Sequence, residues 1–172
     1  MLPAALAGSG TSSVLATAFS FHTENPRQLL AERFARIAAT RMAGLPVANP
    51  ALAVAVPAME AWQGEWVGVL VTPWAVNLVI LPGSGGRFRA IAVGASQHWH
   101  FPSGEYEFLG SHEDGLGPYQ CCSLASPAFD FPTQADGEAF ARAAFAALLA
   151  EPAAQPVSRR AFLRGGLFGG GR

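Results

Sequence analysis

The first regular pattern along the chain is helical. Leu30, Phe34, Ile37 and Ala38 recur at helical spacing, and Glu32 and Arg36 form an i,i+4 pair on the other side. Asn25 can cap this helix, Pro26 suits its first position, and Gln28 stands three residues after the cap. Gly44 and Pro46 end it. From Ala51 to Leu124 the period shortens. Strands are predicted over 51–56, 58–62, 65–72, 74–81, 87–94, 97–101, 104–111 and 118–124. Turn residues separate them at Gln63-Gly64, Pro82–Gly86, Pro102–Gly104 and His112–Gly117, and gaps this short favour antiparallel neighbours. A second helix follows Thr133, a cap with Asp136 three residues on. Its apolar stripe is Ala141, Ala144, Phe145, Leu148 and Leu149, and Pro152 stops it. The pattern describes an α+β domain: an antiparallel β-sheet with an N-terminal and a C-terminal helix packed on it, a two-layer sandwich.

That domain is expected over residues 25–151. Residues 1–24 are rich in Ala, Ser, Gly and Thr and read as a disordered tail. No basic residue precedes the weak apolar stretch Val14–Phe21, which argues against a secretory signal. Residues 152–172 read as a flexible Arg/Gly-rich tail. The uncharged run from Trp66 to Gly86 is long enough to be tested as a membrane span. Pro73, Asn77 and Pro82 interrupt it and valine is prominent, so two buried strands explain it better, with no direct membrane insertion.

Composition narrows the chemistry. Of 172 residues, 51% are hydrophobic and 13% charged, which gives a core large enough to exclude global disorder. All 11 basic residues are arginine. A lysine Schiff base and a standard P-loop are therefore excluded, and Gly83-Ser84-Gly85-Gly86 reads as a turn. Cys121 and Cys122 are adjacent, so they alternate faces on a strand and make no disulfide framework, which implies a reducing compartment. A net charge of −1, with arginine clustered only in the tail, gives no surface for tracking nucleic acid.

Candidate catalytic groups are sparse. His98 and His100 share a strand face and read as partly exposed strand histidines. With His112 or Glu113 they could ligate a metal, but no third ligand stands at diagnostic spacing. Cys122 would be a nucleophile only beside a histidine, and otherwise reads as a buried strand residue. Ser123 and Ser126 lack a G-x-S-x-G context. Glu105 and Glu107 alternate with Tyr106 and Phe108, as on a half-solvated strand. Nothing in the chain asks for an enzyme, and no metal or cofactor is expected.

The tail carries four arginines and no acid after Glu151, so a +4 tail follows a body of −5. Its string Ser158-Arg159-Arg160-Ala161-Phe162-Leu163-Arg164 closely resembles the twin-arginine export motif S-R-R-x-F-L-K. An export signal stands at the N-terminus before a long apolar region, whereas Gly165–Arg172 alone follow here, so export by this route is not expected.

Three strings carry a family resemblance. The first runs from Glu60-Ala61-Trp62-Gln63-Gly64-Glu65-Trp66-Val67-Gly68 through Thr72-Pro73-Trp74 and Asn77-Leu78 to Leu81-Pro82-Gly83. The second is Phe101-Pro102-Ser103-Gly104-Glu105-Tyr106-Glu107-Phe108. The third is Tyr119-Gln120-Cys121-Cys122-Ser123-Leu124-Ala125-Ser126-Pro127, and the tail adds Ser158–Leu163. Together they resemble the HybE family of [NiFe]-hydrogenase assembly chaperones, with the related HupJ and HoxT proteins, over roughly residues 25–165. The resemblance implies a cytoplasmic, non-enzymatic accessory factor. Its partners would be the hydrogenase small-subunit precursor, including its twin-arginine signal, the large subunit, and other maturation proteins. HupJ proteins also carry a rubredoxin module with two Cys-x-x-Cys pairs; this chain has none, so iron binding is not implied.

Partner contacts are expected from Trp62, Trp66, Trp74 and Trp99, as amphipathic anchors of a recognition groove, and from Cys122, Ser123 and Pro127. A receptor for two arginines and an apolar stretch should place carboxylates beside an apolar surface. The tail's Arg159, Arg160, Phe162 and Leu163 would then mimic the client in that groove, in cis or on a neighbouring copy. The rival account has the tail read by export machinery or another maturation factor. The alternative function is a small redox or metal-handling factor using Cys121/Cys122 and His98/His100.

Overall fold

The computed structural model describes residues 19–151. The expectations for residues 1–18 and 152–172, including the Pro152 stop and the twin-arginine-like string, lie outside them. The elements are α1 (Arg27–Ala39), β1 (Ala55–Trp62), β2 (Glu65–Val71), β3 (Val76–Leu81), β4 (Ser96–Phe101), β5 (Gly104–Glu113), β6 (Gly117–Ala125) and α2 (Gln134–Leu149). All strands pair antiparallel in one sheet, ordered β1-β2-β3-β6-β5-β4. The α+β class, the antiparallel sheet and the two packed helices are as expected, but the helices cover opposite faces, so the sheet lies between two helical layers rather than under one.

Each helix takes its own face. Val67, Val69, Val71, Val76, Leu78 and Ile80 point towards Ala141, Phe145 and Leu148 of α2. The alternate residues Leu70, Val79 and Leu81 point towards Leu30, Phe34 and Ile37 of α1. Side chains alternate along a strand, so β2 and β3 need apolar residues at every position to be buried on both sides. This is why Trp66–Leu81 carries no charge yet is no span: no helix among the described residues is long and apolar enough to cross a membrane.

Local signals held at α2 and the hairpin and only in part at α1, which begins at Arg27 after Pro26, with the Gln28 amide donating to Glu32 rather than back to the cap. Thr133 Oγ1 accepts from the Asp136 N–H at 3.2 Å and caps α2. Asn25 Oδ1 accepts from the Arg27 N–H, while its amide donates to Met59 O and ties α1 to β1. Helix α1 stops at Ala39, short of Gly44, and Thr40–Gly44 forms turns. The β1–β2 hairpin turns on Gln63 and Gly64, both at positive φ, as a two-residue turn of the favoured hand requires.

Two strand assignments need correction. The segments 51–56 and 58–62 are not two strands: β1 runs through Pro57 at a register shift between Ala55 and Ala58. An edge strand tolerates proline because the missing N–H would face away from its neighbour. The segment 87–94 is no strand either. Because β4 lies at the far edge, residues 82–95 must cross the sheet end past β6 and β5 to reach it. The crossover lies on the α2 side, where Phe88 enters the core. Ahead of α1, Phe19 packs edge-to-face on Phe88 at 5.6 Å and the His22 N–H donates to Pro82 O.

Most of the crossover is exposed, but where it dips inward, at Gly83 and Phe88, its backbone polar groups need partners. Glu65, fully buried, supplies three: its carboxylate accepts from the N–H groups of Gly83 (2.7 Å), Arg87 (2.8 Å) and Phe88 (3.0 Å). Gln120, also fully buried, donates to Arg89 O and Gln97 Oε1 and accepts from Trp99 Nε1. Gln97 donates to Arg87 O. Gly83 is required where the loop meets the hairpin, since a Cβ there would lie 2.1 Å from Gly64 O.

Loss of the Glu65 carboxylate should therefore unseat the crossover. Glu65→Ala orphans three donors and is expected to cost about 3 kcal/mol. Glu65→Gln sets an amide donor against one of them and should cost about 1–2 kcal/mol. Urea denaturation measures both, with faster hydrogen exchange at Arg87 and Phe88; a Gln variant as stable as the native chain would contradict this role.

Candidate functional site

The far half of the α1 side is left uncovered. On β5, alternation places Glu105, Glu107, Leu109 and Ser111 on that side, and Tyr106, Phe108 and Gly110 on the α2 side. Glu105, Glu107 and Leu109 are exposed, Leu109 by 46%. Beside them on β4 are His98 and His100, paired in register with Glu107 and Glu105. Cys121, opposite Leu109 on β6, and the exposed Ser123 complete the face.

The groups on this face are held differently. Glu105 is gripped by both histidines, with His98 Nδ1 at 2.8 Å and His100 Nε2 at 2.6 Å. Glu107 makes no ion pair among the described residues. Ser111 Oγ lies 3.6 Å from Cys121 Sγ. Burial, then the neighbouring Cys121, pushes the Tyr119 phenol up to about 12, so it stays neutral where the protein works. The result is a track along one strand, from carboxylates through an exposed leucine to a hydroxyl.

Ser111 leads into a cleft of about 570 Å³. Three separate segments build its wall: Phe19–His22, the crossover residues Ala90 and Ile91, and the β5–β6 turn from Gly115 to Pro118. Trp66 Nε1 donates to His22 O at 2.8 Å and holds the first segment in place. Over the described residues as a whole, twelve acids face seven arginines.

The four tryptophans do not line one groove. Trp99 is 3% exposed in the α2-side core, hydrogen-bonded to Gln120. Trp62 stacks on Phe101 at 4.4 Å on that same side. Trp66 and Trp74 pack on the α1 side. Only Trp66 reaches the cleft, and it does so through a backbone carbonyl. Cys122 is buried in the α2-side core, while Ser123 and Pro127 are exposed. The two cysteines thus face opposite sides, and His112 stands near Asp114 rather than with His98 and His100. No group of three or more His, Cys, Asp or Glu placed to hold a metal occurs among the described residues. Ser158, Arg159, Arg160, Phe162, Leu163 and Arg164 lie outside them.

Leu109, Ser111, Ile91 and His22 escaped the sequence reading. The alternation at Glu105/Glu107 extends to Leu109 and Ser111, so those two were within reach. Ile91 and His22 come from distant segments and had no local signal.

The comparisons agree on one lineage. A family model described as "[NiFe]-hydrogenase assembly, chaperone, HybE" matches residues 25–165. The hydrogenase expression/formation protein HoxT of Azotobacter vinelandii is 40% identical over 142 residues, covering 78% of this chain and 92% of the relative. The hydrogenase expression/formation protein HupJ of Bradyrhizobium diazoefficiens is 38% identical over 150 residues, covering 81% and 87%. The solution structure of HybE from Escherichia coli superposes with a TM-score of 0.63 at 25% identity, covering 83% of this chain and 90% of that one.

The packing around His22 should lose stability in acid. Burial holds His22 below its ordinary pKa of 6.5, opposed by its hydrogen bond to the Leu116 backbone, and its Nε2 is buried without a partner among the described residues. The folded chain therefore binds fewer protons than the unfolded one as pH falls below 6.5. Its contribution to stability is complete above that value and is lost below it. Thermal melts between pH 7 and 5 should show a falling midpoint, with a shallower slope in His22→Gln; identical slopes would contradict the assignment.

Proposed function

Because this chain belongs to the HybE family of [NiFe]-hydrogenase assembly chaperones, we propose that it binds hydrogenase precursors along β5 and the adjoining cleft. The client feature is the twin-arginine signal of the small-subunit precursor, and the large subunit is a second partner. The chain acts in the cytoplasm by binding, without catalysis, until cofactor assembly is complete.

The observation that carries this reading is the uncommitted carboxylate of Glu107 beside exposed Leu109. A signal peptide presents two guanidinium groups followed by an apolar stretch. Carboxylates accept from guanidinium N–H groups with good geometry. Exposed ion pairs contribute at most about 1 kcal/mol, so the charges supply orientation and on-rate. Affinity then comes from apolar burial against Leu109 and, at the end of the strand, the cleft residues Leu116 and Pro118. The direction of the track, acid first and apolar after, matches the order of groups in such a signal.

The family strings support the same face. Their inward residues Phe101, Phe108, Gln120, Cys122 and Leu124 build the core, and their outward residues Glu105, Glu107, Cys121 and Ser123 form the open surface. A redox or metal-handling reading finds less support, since Cys121 and Cys122 face opposite sides and His98 and His100 close on Glu105.

Fluorescence anisotropy with a labelled small-subunit signal peptide tests the proposal. Binding by the intact chain should weaken about tenfold in Glu107→Arg at low ionic strength, and less at high salt. Replacing the peptide's two arginines by lysine should also weaken it, because the bidentate contact is lost. Equal affinity for the native chain and Glu107→Arg would contradict the location. No binding to the intact chain would contradict the client assignment.

A further inference from the structure

We propose that the chain's own segment Ser158–Leu163 docks in cis on the open face of β5, with Arg159 at Glu105, Arg160 at Glu107, and Phe162 and Leu163 against Leu109. Three observations meet here: where the described chain ends, how far the tail can reach, and what each partner carries.

Helix α2 lies on the other face of the sheet but ends at the β4–β5 hairpin, from which this surface starts. Leu148 O accepts from both Ser103 Oγ (2.8 Å) and Ser103 N–H (3.4 Å), which pins the last turn of α2 to the β4–β5 hairpin. Strand β5 leaves from that hairpin, and Glu105 and Glu107 are its first two outward carboxylates. From Ser103 to Glu107 is about 14 Å along a strand, and rounding the hairpin tip adds roughly the 10 Å of a layer. The eight residues from Glu151 to Arg159 span up to about 28 Å when extended. The reach is sufficient for Arg159 and ample for the residues after it.

Charge and sequence order agree with that geometry. The tail contributes four arginines and no acid, against a body with five more acids than arginines. The string Arg159-Arg160-Ala161-Phe162-Leu163 repeats the order of the track, two cations and then two apolar side chains. Docking also leaves no buried partner unsatisfied, since Glu107 and Leu109 are exposed without it. A segment tethered by so short a linker acts at an effective concentration of about millimolar. It therefore competes with any free peptide of the same pattern. The docking stands on the geometry alone; the competition rests on the client reading given above.

Photocrosslinking of the full chain separates the two. With Phe162→benzoylphenylalanine, irradiation without client should give one main intramolecular adduct, on the peptide spanning Glu105–Ser111. Glu107→Arg, an exposed substitution that leaves the fold intact, should lower its yield at least threefold, as should Arg159→Ala with Arg160→Ala. Adducts mainly elsewhere in the chain, adducts only between two copies, or an unchanged yield in Glu107→Arg would overturn the docking. In the same preparations, Arg159→Ala with Arg160→Ala should tighten signal-peptide binding at least threefold. Peptide binding without a β5 adduct overturns the docking and leaves the client reading standing. A β5 adduct without any peptide binding does the reverse.

Discussion

The structure depends on how a long crossover is made compatible with burial. Strand order β1-β2-β3-β6-β5-β4 forces residues 82–95 across the end of the sheet; most stay exposed, but Gly83 and Phe88 are buried there and their amides lose water. A buried backbone donor without a partner costs on the order of 1–3 kcal/mol, so several would exhaust the stability of a domain this size. Glu65 meets three donors at once, and Gln120 and Gln97 meet the carbonyls. Everything at that end follows from this. Phe88 is carried into the core, Phe19 packs on Phe88, His22 is bonded to Pro82 and Trp66, and Ile91 forms a wall of the cleft.

The same dependence explains what the sequence revealed and what it hid. Helix caps and two-residue turns are local chemistry, so Thr133, Asn25 and Gln63-Gly64 announce themselves. Segment 87–94 alternates as a strand does, yet over Arg87–Arg89 its hydrogen bonds go to side chains from β2, β4 and β6. Partners so far away in sequence leave no local mark. Pro57 looks like a break between strands because proline interrupts a ladder, but at an edge only a register shift results. The tryptophans suggest one groove because they are large and amphipathic; strand parity and the sheet's two covers distribute them over both faces instead.

The open half-face is the converse of the crossover. Helix α1 has 13 residues and packs chiefly over β1, with Phe34 reaching Tyr119 at 6.0 Å. Beyond Tyr119 nothing among the described residues covers β5 and β4 on that side. Their outward positions are accordingly polar, and Glu105/Glu107 could be read as half-solvated from alternation alone. What alternation could not supply was the company they keep: two histidines committed to Glu105, a free carboxylate at Glu107, and a leucine left in water. An assembly chaperone needs a surface that is stable while empty and specific when filled, and an acid–apolar track on a rigid strand meets both needs.

The central claim is that clients are held along β5, and an amide chemical-shift map of the labelled full chain, titrated with a small-subunit signal peptide, tests it most directly. The account predicts that the largest changes fall on Glu105–Ser111 of β5 and on the cleft residues Leu116–Pro118, with α2 unaffected. Changes centred on the exposed side of α2 around Ala139 and Arg142, or spread without focus over both faces, would contradict it.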